Sequence, residues 1–208
     1  MMNFEIIKHP LLEHKLSLIR DKNLGTKDFK IIVNEISSLM VYEITRNLSL
    51  QEINIETPIA HTVGKVLTDK IVLVPILRAG LGMVDGIHNL IPTSKIAHIG
   101  MYRNPTTLKP HVYYAKYPEC ISSCKVFILD PLLATGGSIL AAISNLVSLN
   151  VKDITVVSII GVKEGLLNIY KEYPNVKIYL AALDEGLNEK AYIYPGLGDA
   201  GDRLFGTK

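Results

Sequence analysis

Charge of one sign, paired cysteines and long apolar runs are all scarce in this chain of 208 residues. Lys and Arg number 22 against 20 Asp and Glu, a net +2 scattered along the sequence. That balance excludes the strongly basic face of a dedicated nucleic-acid binder, so an acidic ligand has to be held locally by a few placed groups. Cys120 and Cys124 are the only cysteines. Without the second pair that a structural zinc site requires, they read as two ordinary reduced thiols. His9, His14, His61, His88, His98 and His111 show no metal-ligand pairing. No apolar run approaches a membrane span, and Met1–Lys8 has no basic region followed by an apolar signal core. The expectation is a soluble cytoplasmic protein with no membrane partner. Repeats, low-complexity tracts and Gly/Ser/Pro linkers are also missing, which predicts a single domain over 1–208.

What is present is alternation. Ile32, Ile36, Leu39, Met40 and Ile44 lie along one face of a long helix over Asp28–Leu48. Residues Ile53–Val63 read as a polar, β-leaning excursion. After it come a strand (Ile71–Leu77), a helix (Leu81–Leu90) and strands over Ile96–Met101 and Val126–Asp130. A helix follows over Ile139–Leu146, then strands Ile154–Ile160 and Lys177–Ala182 around a helix near Lys163–Tyr173. This order predicts an α/β fold, a mostly parallel twisted sheet flanked by helices. The Gly-rich, polar segment 184–208 reads as an ordered loop or small hood over the carboxyl edge of that sheet.

The segment Val126-Phe-Ile-Leu-Asp-Pro-Leu-Leu-Ala-Thr-Gly-Gly-Ser138 carries the most chemistry. A strand covered on both faces runs into Asp130 and then into a small-residue loop that opens a helix. Thr135, Gly136, Gly137 and Ser138 can aim backbone N–H groups and two hydroxyls at one anion, with the positive end of the helix dipole behind them. Asp130, at the strand's carboxyl end, can accept from sugar hydroxyls, so a phosphosugar suits both features. The plainer reading is a βα loop with Ser138 as a cap. No lysine follows Gly137, so this is not the Walker loop of nucleoside triphosphatases.

Arg78 ends an apolar strand beside Ala79-Gly80, where a guanidinium fork can span two oxygens of a pyrophosphate. A salt bridge capping the strand end is the alternative. Arg103, just past another strand, is a second candidate for the same anion. The polar, proline-interrupted stretch between Arg103 and Tyr114 reads as a mobile flap. Two glycine patterns mislead: Asp85 stands where a dinucleotide fingerprint after Gly80 and Gly82 needs its third glycine. Gly196, Gly198 and Gly201 fit the spacing but leave no room for a βαβ unit.

The Val126–Ser138 stretch resembles the phosphoribosyl pyrophosphate (PRPP) motif of type I phosphoribosyltransferases, and its wording is closest to the uracil phosphoribosyltransferase family. Val74-Pro-Ile-Leu-Arg-Ala-Gly-Leu-Gly-Met83 and Tyr194-Pro-Gly-Leu-Gly-Asp-Ala-Gly-Asp-Arg203 carry the same resemblance. So do Lys8-His-Pro10, Gly100-Met-Tyr-Arg103, Asp184-Glu-Gly-Leu-Asn188 and Phe205-Gly-Thr-Lys208. The likeness covers nearly the whole chain in the family's order. It implies transfer of the phosphoribosyl group of PRPP to N1 of uracil, giving UMP and pyrophosphate.

By resemblance, Asp130, Pro131, Leu132, Leu133, Ala134, Thr135, Gly136, Gly137 and Ser138 bind PRPP, with Arg78 and Arg103 on its diphosphate. Ile193, Gly198 and Ala200 contact uracil, and Asp199 lies beside the reacting ribose as a catalytic group together with Arg78 and Arg103. Two backbone N–H groups flanking a C=O would complement the acceptor, donor, acceptor edge of uracil and set a donor against a donor in cytosine. The resemblance further implies Mg2+ carried on PRPP, without a protein metal site, a GTP effector as in some relatives, and a homodimer or higher oligomer. Pro131 replaces the second carboxylate of many phosphoribosyltransferases, a departure shared with the uracil-specific family. Tyr194 stands where relatives more often carry an aliphatic residue, and a changed wall of the base pocket is expected there. The rivals are a pyrimidine-sensing RNA-binding regulator on the same fold, which the near-neutral charge opposes, and a purine phosphoribosyltransferase, which the hood sequence opposes.

Overall fold

Apolar strands buried on both faces organise the molecule. The computed structural model describes residues 3–103 and 110–207. In chain order these form β1 (Phe4–Ile6), α1 (Pro10–Arg20), α2 (Thr26–Ile44), β2 (Leu50–Glu56), β3 (His61–Leu67), β4 (Ile71–Leu77) and α3 (Leu81–His88). Next come β5 (Lys95–Ile96), β6 (His98–Arg103), β7 (Pro110–Lys116), a 3-10 turn (Ile121–Ser123), β8 (Lys125–Leu129), β9 (Leu132–Leu133) and α4 (Gly137–Ser148). The chain finishes with β10 (Asp153–Val162), α5 (Lys163–Glu172), β11 (Lys177–Asp184), β12 (Gly186–Leu187), β13 (Ile193–Tyr194) and α6 (Ala200–Phe205).

The main sheet runs in the order β1-β11-β10-β8-β4-β6-β7, with β5 added to β4 and β9 to β10. Every pairing in it is parallel except β6 with β7. On β4, Ile71 and Leu73 face one core while Val72, Val74 and Ile76 face the other. On β8, Phe127 and Leu129 face the first core, and Val126 and Ile128 the second. The strands are apolar at every position because both faces are covered, as parallel crossovers demand. Helices α1, α2, α3 and α6 cover one face, and α4 and α5 the other. Each fully buried Ile or Leu contributes roughly 1.5–3 kcal/mol relative to exposure.

The strand order reverses between β4 and β8, since β6 lies on one side of β4 and β8 on the other. Pro75 is in register with Leu129, so the loops beginning at Arg78 and Asp130 leave the same edge of neighbouring strands. That crevice is where open α/β sheets bind ligands.

Several expectations need correction. The sequence reading assigns no element before Asp28, yet β1 and α1 occupy that region. Pro10 sits at the helix start, the His9 side chain accepts the Leu11 N–H at 3.2 Å, and Leu12, Leu16 and Ile19 are buried. The strand expected over Ile96–Met101 is broken at Ala97, and both pieces, β5 and β6, pair with β4. The β-leaning excursion is a longer antiparallel hairpin, with Leu50 paired to Leu67 and Glu56 to His61. Within the expected flap, Pro110–Tyr114 belongs to β7, which closes back on β6, while residues 104–109 lie outside the described residues. The C-terminal hood contains a two-stranded ladder, β12 with β13, and the helix α6 as well as loop.

Candidate active site

At the end of β4 the chain turns immediately into α3, with the Gly80 N–H donating to the Ile76 carbonyl at 2.9 Å. A methyl at Gly80 would meet the Leu129 carbonyl of β8 and, at 2.7 and 2.8 Å, the Ile76 backbone. Only glycine lets the two loops approach so closely. The Arg78 guanidinium is more than half exposed; it reaches Asp202 at a loose 3.4 Å and lies 5.8 Å from the Phe205 ring centroid. An exposed pair of that length is worth little, so its displacement by an anion costs little. Arg103 ends β6 opposite Pro110; its side chain lies outside the described residues.

Past β8, Asp130 is partly covered, and its Oδ1 accepts the Leu132 N–H at 3.3 Å. Burial pushes its carboxyl up to about 7 from 3.8, only partly offset by that N–H. Leu132 and Leu133 pair with Ile160 and Gly161 as β9, and the Pro131 carbonyl accepts the N–H groups of Ile159 and Ile160. Pro131 and Leu133 therefore anchor the loop inward, whereas Leu132 and Ala134 line the pocket. Gly136 takes φ +81 and ends the loop; no side chain caps α4, so its first N–H groups are left for another acceptor. Ser138 is thus not a cap. The Asn168 amide of α5 donates to the Thr135 carbonyl at 3.0 Å. Asn168 is a support that sequence spacing gives no reason to select.

The hood supplies the other wall. Asp199 is the N-cap of α6, with Oδ1 accepting the Asp202 N–H at 3.0 Å, and Gly198 takes φ +82 beside it. A pocket of about 210 Å3 collects Ile193, Gly198, Asp199 and Ala200 from the hood with Asp130, Leu132 and Ala134 from the β8 loop and Ala79 from the β4 loop. Its volume lies below the ~300–1,000 Å3 of drug-sized ligand sites, which suits a single small ring. Larger grooves exist, such as one of about 570 Å3 between β1 and α2. That groove does not unite the β4, β8 and hood loops.

Tyr192 and Ala191 line the pocket although the sequence reading does not select them. Asn188 shapes their turn: its Oδ1 accepts the N–H groups of Lys190 and Tyr192 at 3.0 Å, with Ala191 at φ +60. The expectation that Tyr194 alters the pocket wall is corrected. Strand alternation buries Ile193 and turns Tyr194 outward, 59 % exposed and away from the pocket lining.

Behind the pocket, Asp184 at the end of β11 takes Arg20 in a two-pronged ion pair at 2.7 and 2.8 Å. Arg203 donates to the backbone carbonyls of Ile19, Leu197 and Asp21 at 2.6, 2.9 and 2.6 Å. Among the described residues no group of three or more His, Cys, Asp or Glu could hold a metal ion. Asp130, followed by Pro131, offers a single carboxylate, so a divalent ion held there would take most of its positions from water or a ligand's oxygens. No helix among the described residues is long and apolar enough to cross a membrane.

Comparison with known proteins bears on the fold and the family. A solved structure of an Aquifex aeolicus protein matches at TM-score 0.93 and 35% identity, covering 99% of each chain. The adenine phosphoribosyltransferase of Trypanosoma brucei matches in fold alone, at TM-score 0.64 and 12% identity over 96% of this chain and 89% of that one. Curated proteins named uracil phosphoribosyltransferase are 56% identical in Alkaliphilus metalliredigens, over 98% of both chains, and 54% in Pediococcus pentosaceus, over 100% of both. With the uracil phosphoribosyltransferase family model matching residues 6–207, the chain belongs to the uracil phosphoribosyltransferase family.

Proposed function

We propose that this protein transfers the 5-phosphoribosyl group of PRPP to N1 of uracil, forming UMP and releasing pyrophosphate, a pyrimidine salvage reaction. The observation that carries the reading is the single pocket where Asp130 and the β8 loop meet Gly198, Asp199 and Ala200 of the hood. A small base fits that space, and a phosphosugar held beside it on the β8 loop would bring the reacting atoms together.

In this reading the uncapped start of α4, with Thr135, Gly136, Gly137 and Ser138, takes the 5′-phosphate, and Asp130 accepts from the ribose hydroxyls. Arg78 and Arg103 hold the diphosphate and stabilise it as it departs. Backbone groups of Ile193, Gly198 and Ala200 orient the uracil edge, and the free oxygen of Asp199 polarises N1. Bond-making at C1 follows from holding the two substrates in line, so positioning and fixed charge do most of the work. Mg2+ bound on PRPP would lower the charge of the leaving group. Residues 1–208 act as one unit with 184–208 as the hood. A cytoplasmic location is part of the same proposal.

The hairpin of β2 and β3 exposes Leu50, Ile55, Ile59, Val63, Val66 and Leu67. It supports the family expectation of a homodimer or higher oligomer, which light scattering would contradict by returning a monomer. GTP activation rests on the resemblance alone; a rate unchanged by GTP removes it. Incubating the protein with PRPP, Mg2+ and each of uracil, cytosine, hypoxanthine, guanine and adenine tests the reaction. UMP from uracil alone is expected, and nucleotide from a purine base, or from none, overturns the reading.

A further inference from the structure

Cys120 and Cys124 flank the 3-10 turn Ile121–Ser123, which holds their sulfur atoms 3.6 Å apart. The turn is fixed by backbone bonds from Ile121 to Pro118, Ser123 to Cys120 and Cys124 to Ile121. The two thiols are not equivalent. Cys120 is partly exposed and has the Lys95 ammonium 3.5 Å from its sulfur, while Cys124 is buried and donates to the Cys120 carbonyl at 3.0 Å. The pair lies at the amino end of β8, and Asp130 follows the strand's other end, about 17 Å away for five residues. The substrate reaction makes no use of these thiols.

We propose that Cys120 and Cys124 form a peroxide-reactive dithiol site, in which Cys120 is the nucleophile and Cys124 the resolving thiol of an intrachain disulfide. Three features combine here: a neighbouring ammonium to stabilise the thiolate, access for a small oxidant, and a second thiol already in contact. The adjacent Cys124 thiol, and after it Lys95, hold the Cys120 thiol below the usual cysteine range. Burial, and then the adjacent Cys120, push Cys124 up.

The chemistry balances with hydrogen peroxide as oxidant. The Cys120 thiolate attacks one peroxide oxygen, the O–O bond breaks, and the departing hydroxide takes the thiol's proton as water, leaving a sulfenic acid. The Cys124 sulfur then attacks the sulfenic sulfur, the S–O bond breaks, and a second water leaves with the Cys124 proton. Two electrons pass from the two sulfurs to the peroxide. Closing the bond brings the sulfurs from 3.6 Å to about 2.05 Å, a movement within reach of side-chain rotation and a slight tightening of a surface turn.

The test treats full-length protein with hydrogen peroxide, followed by intact-mass and peptide analysis. The wild type should lose about 2 Da, reversibly with dithiothreitol. The variant C124S should instead trap a dimedone adduct on Cys120, and C120S should leave Cys124 unmodified over the same time. Lys95→Ala should slow the wild-type reaction roughly 3- to 10-fold, as expected from losing one thiolate-stabilising charge. Circular dichroism before oxidation establishes that each variant is folded. Retention of both thiols at peroxide doses that oxidise free glutathione would overturn the proposal, as would equally fast oxidation of Cys124 in C120S.

Discussion

Arg20 and Asp184, separated by 164 positions, form a two-pronged ion pair that grips both backbone groups of one residue, Gly196. The Gly196 N–H donates to Asp184 at 2.9 Å, and the Arg20 guanidinium donates to the Gly196 carbonyl at 2.9 Å. The Asp184 side chain is only 5 % exposed. Since Gly196 is two residues from Gly198, this pair fixes the loop proposed to read the base from outside the pocket.

Replacing Arg20 by Lys keeps the charge and loses the planar fork. The KM for uracil should rise about 10-fold and the preference over cytosine should fall, with the KM for PRPP within about twofold, because a misplacement of about 1 Å can cost about 100-fold and the loosened loop shifts by less. Asp184→Ala should cost about 3–5 kcal/mol of stability by stranding a mostly buried cation, read from urea unfolding. Unchanged base discrimination in Arg20→Lys would sink the positioning role.

Arg78→Ala should reduce kcat/KM by about 100-fold or more, the scale of removing one charged donor from a departing anion. Stability should stay within about 0.5 kcal/mol, since the Asp202 contact is loose and exposed. Unaltered PRPP kinetics would return Arg78 to the role of a strand-end ion pair.

Asp199 caps α6 and also faces the pocket, and two substitutions separate those roles. Asn caps as well as Asp, whereas Ala loses about 1 kcal/mol. Asp199→Asn should therefore melt like the wild type but turn over more slowly, and Asp199→Ala should lose both. Near wild-type kcat in the Asn variant means that Asp199 only caps.

Asp130 makes stability and PRPP binding depend on pH in opposite senses. Its folded value of about 7 lies above 3.8, so between these values the folded protein keeps a proton that the unfolded chain has released. The associated stability is present in full below about 4, is lost as pH rises through 7, and stays lost above it. Asp130→Asn should thus gain stability over the wild type, by roughly 1 kcal/mol at pH 5 and rising to roughly 2–4 kcal/mol at pH 8 for a group partly open to solvent. PRPP, whose hydroxyls donate to the ionised form, should bind the wild type more tightly as pH rises to about 7.5, while the Asn variant binds weakly at every pH. Calorimetric titration at pH 5, 6, 7 and 8 checks the slope, and a flat wild-type profile would contradict it.

Gly80→Ala places a methyl against the Leu129 carbonyl and the Ile76 backbone. The chain must separate β4 from β8 at their carboxyl ends, so a loss of about 1–3 kcal/mol is expected in thermal unfolding, together with loss of activity. An Ala variant with wild-type stability would show that the two loops are not in close register.

The order of strands and helices was legible because parallel strands are apolar throughout and helices repeat near 3.6 residues, and each signal is local. The loops at Arg78 and at Asp130–Ser138 were legible for the same reason: a strand, a polar residue, small residues and a helix follow one another without a gap. α1 escaped because its apolar face is only Leu12, Leu16 and Ile19, within a short polar window. α6 escaped because six residues carry too little periodicity, although Asp199 is a capping residue type. Side-chain direction in the hood was illegible, since a two-residue strand fixes which of Ile193 and Tyr194 faces inward only through its partner Leu187.

The sequence by itself determined the alternating α/β architecture, the strand-to-helix loops proposed to hold anions, and the family resemblance, all of which rest on contiguous residues. Only the tertiary structure decided that Ala79, Asp130 and Gly198–Ala200 share one pocket, that Arg20 and Asp184 hold Gly196, and that Asp130 is covered enough to hold its proton near neutral pH. Those facts depend on the reversal of strand order between β4 and β8 and on the fold-back of 184–207 over their ends. Contacts across such separations arise from packing, which no short window of sequence contains.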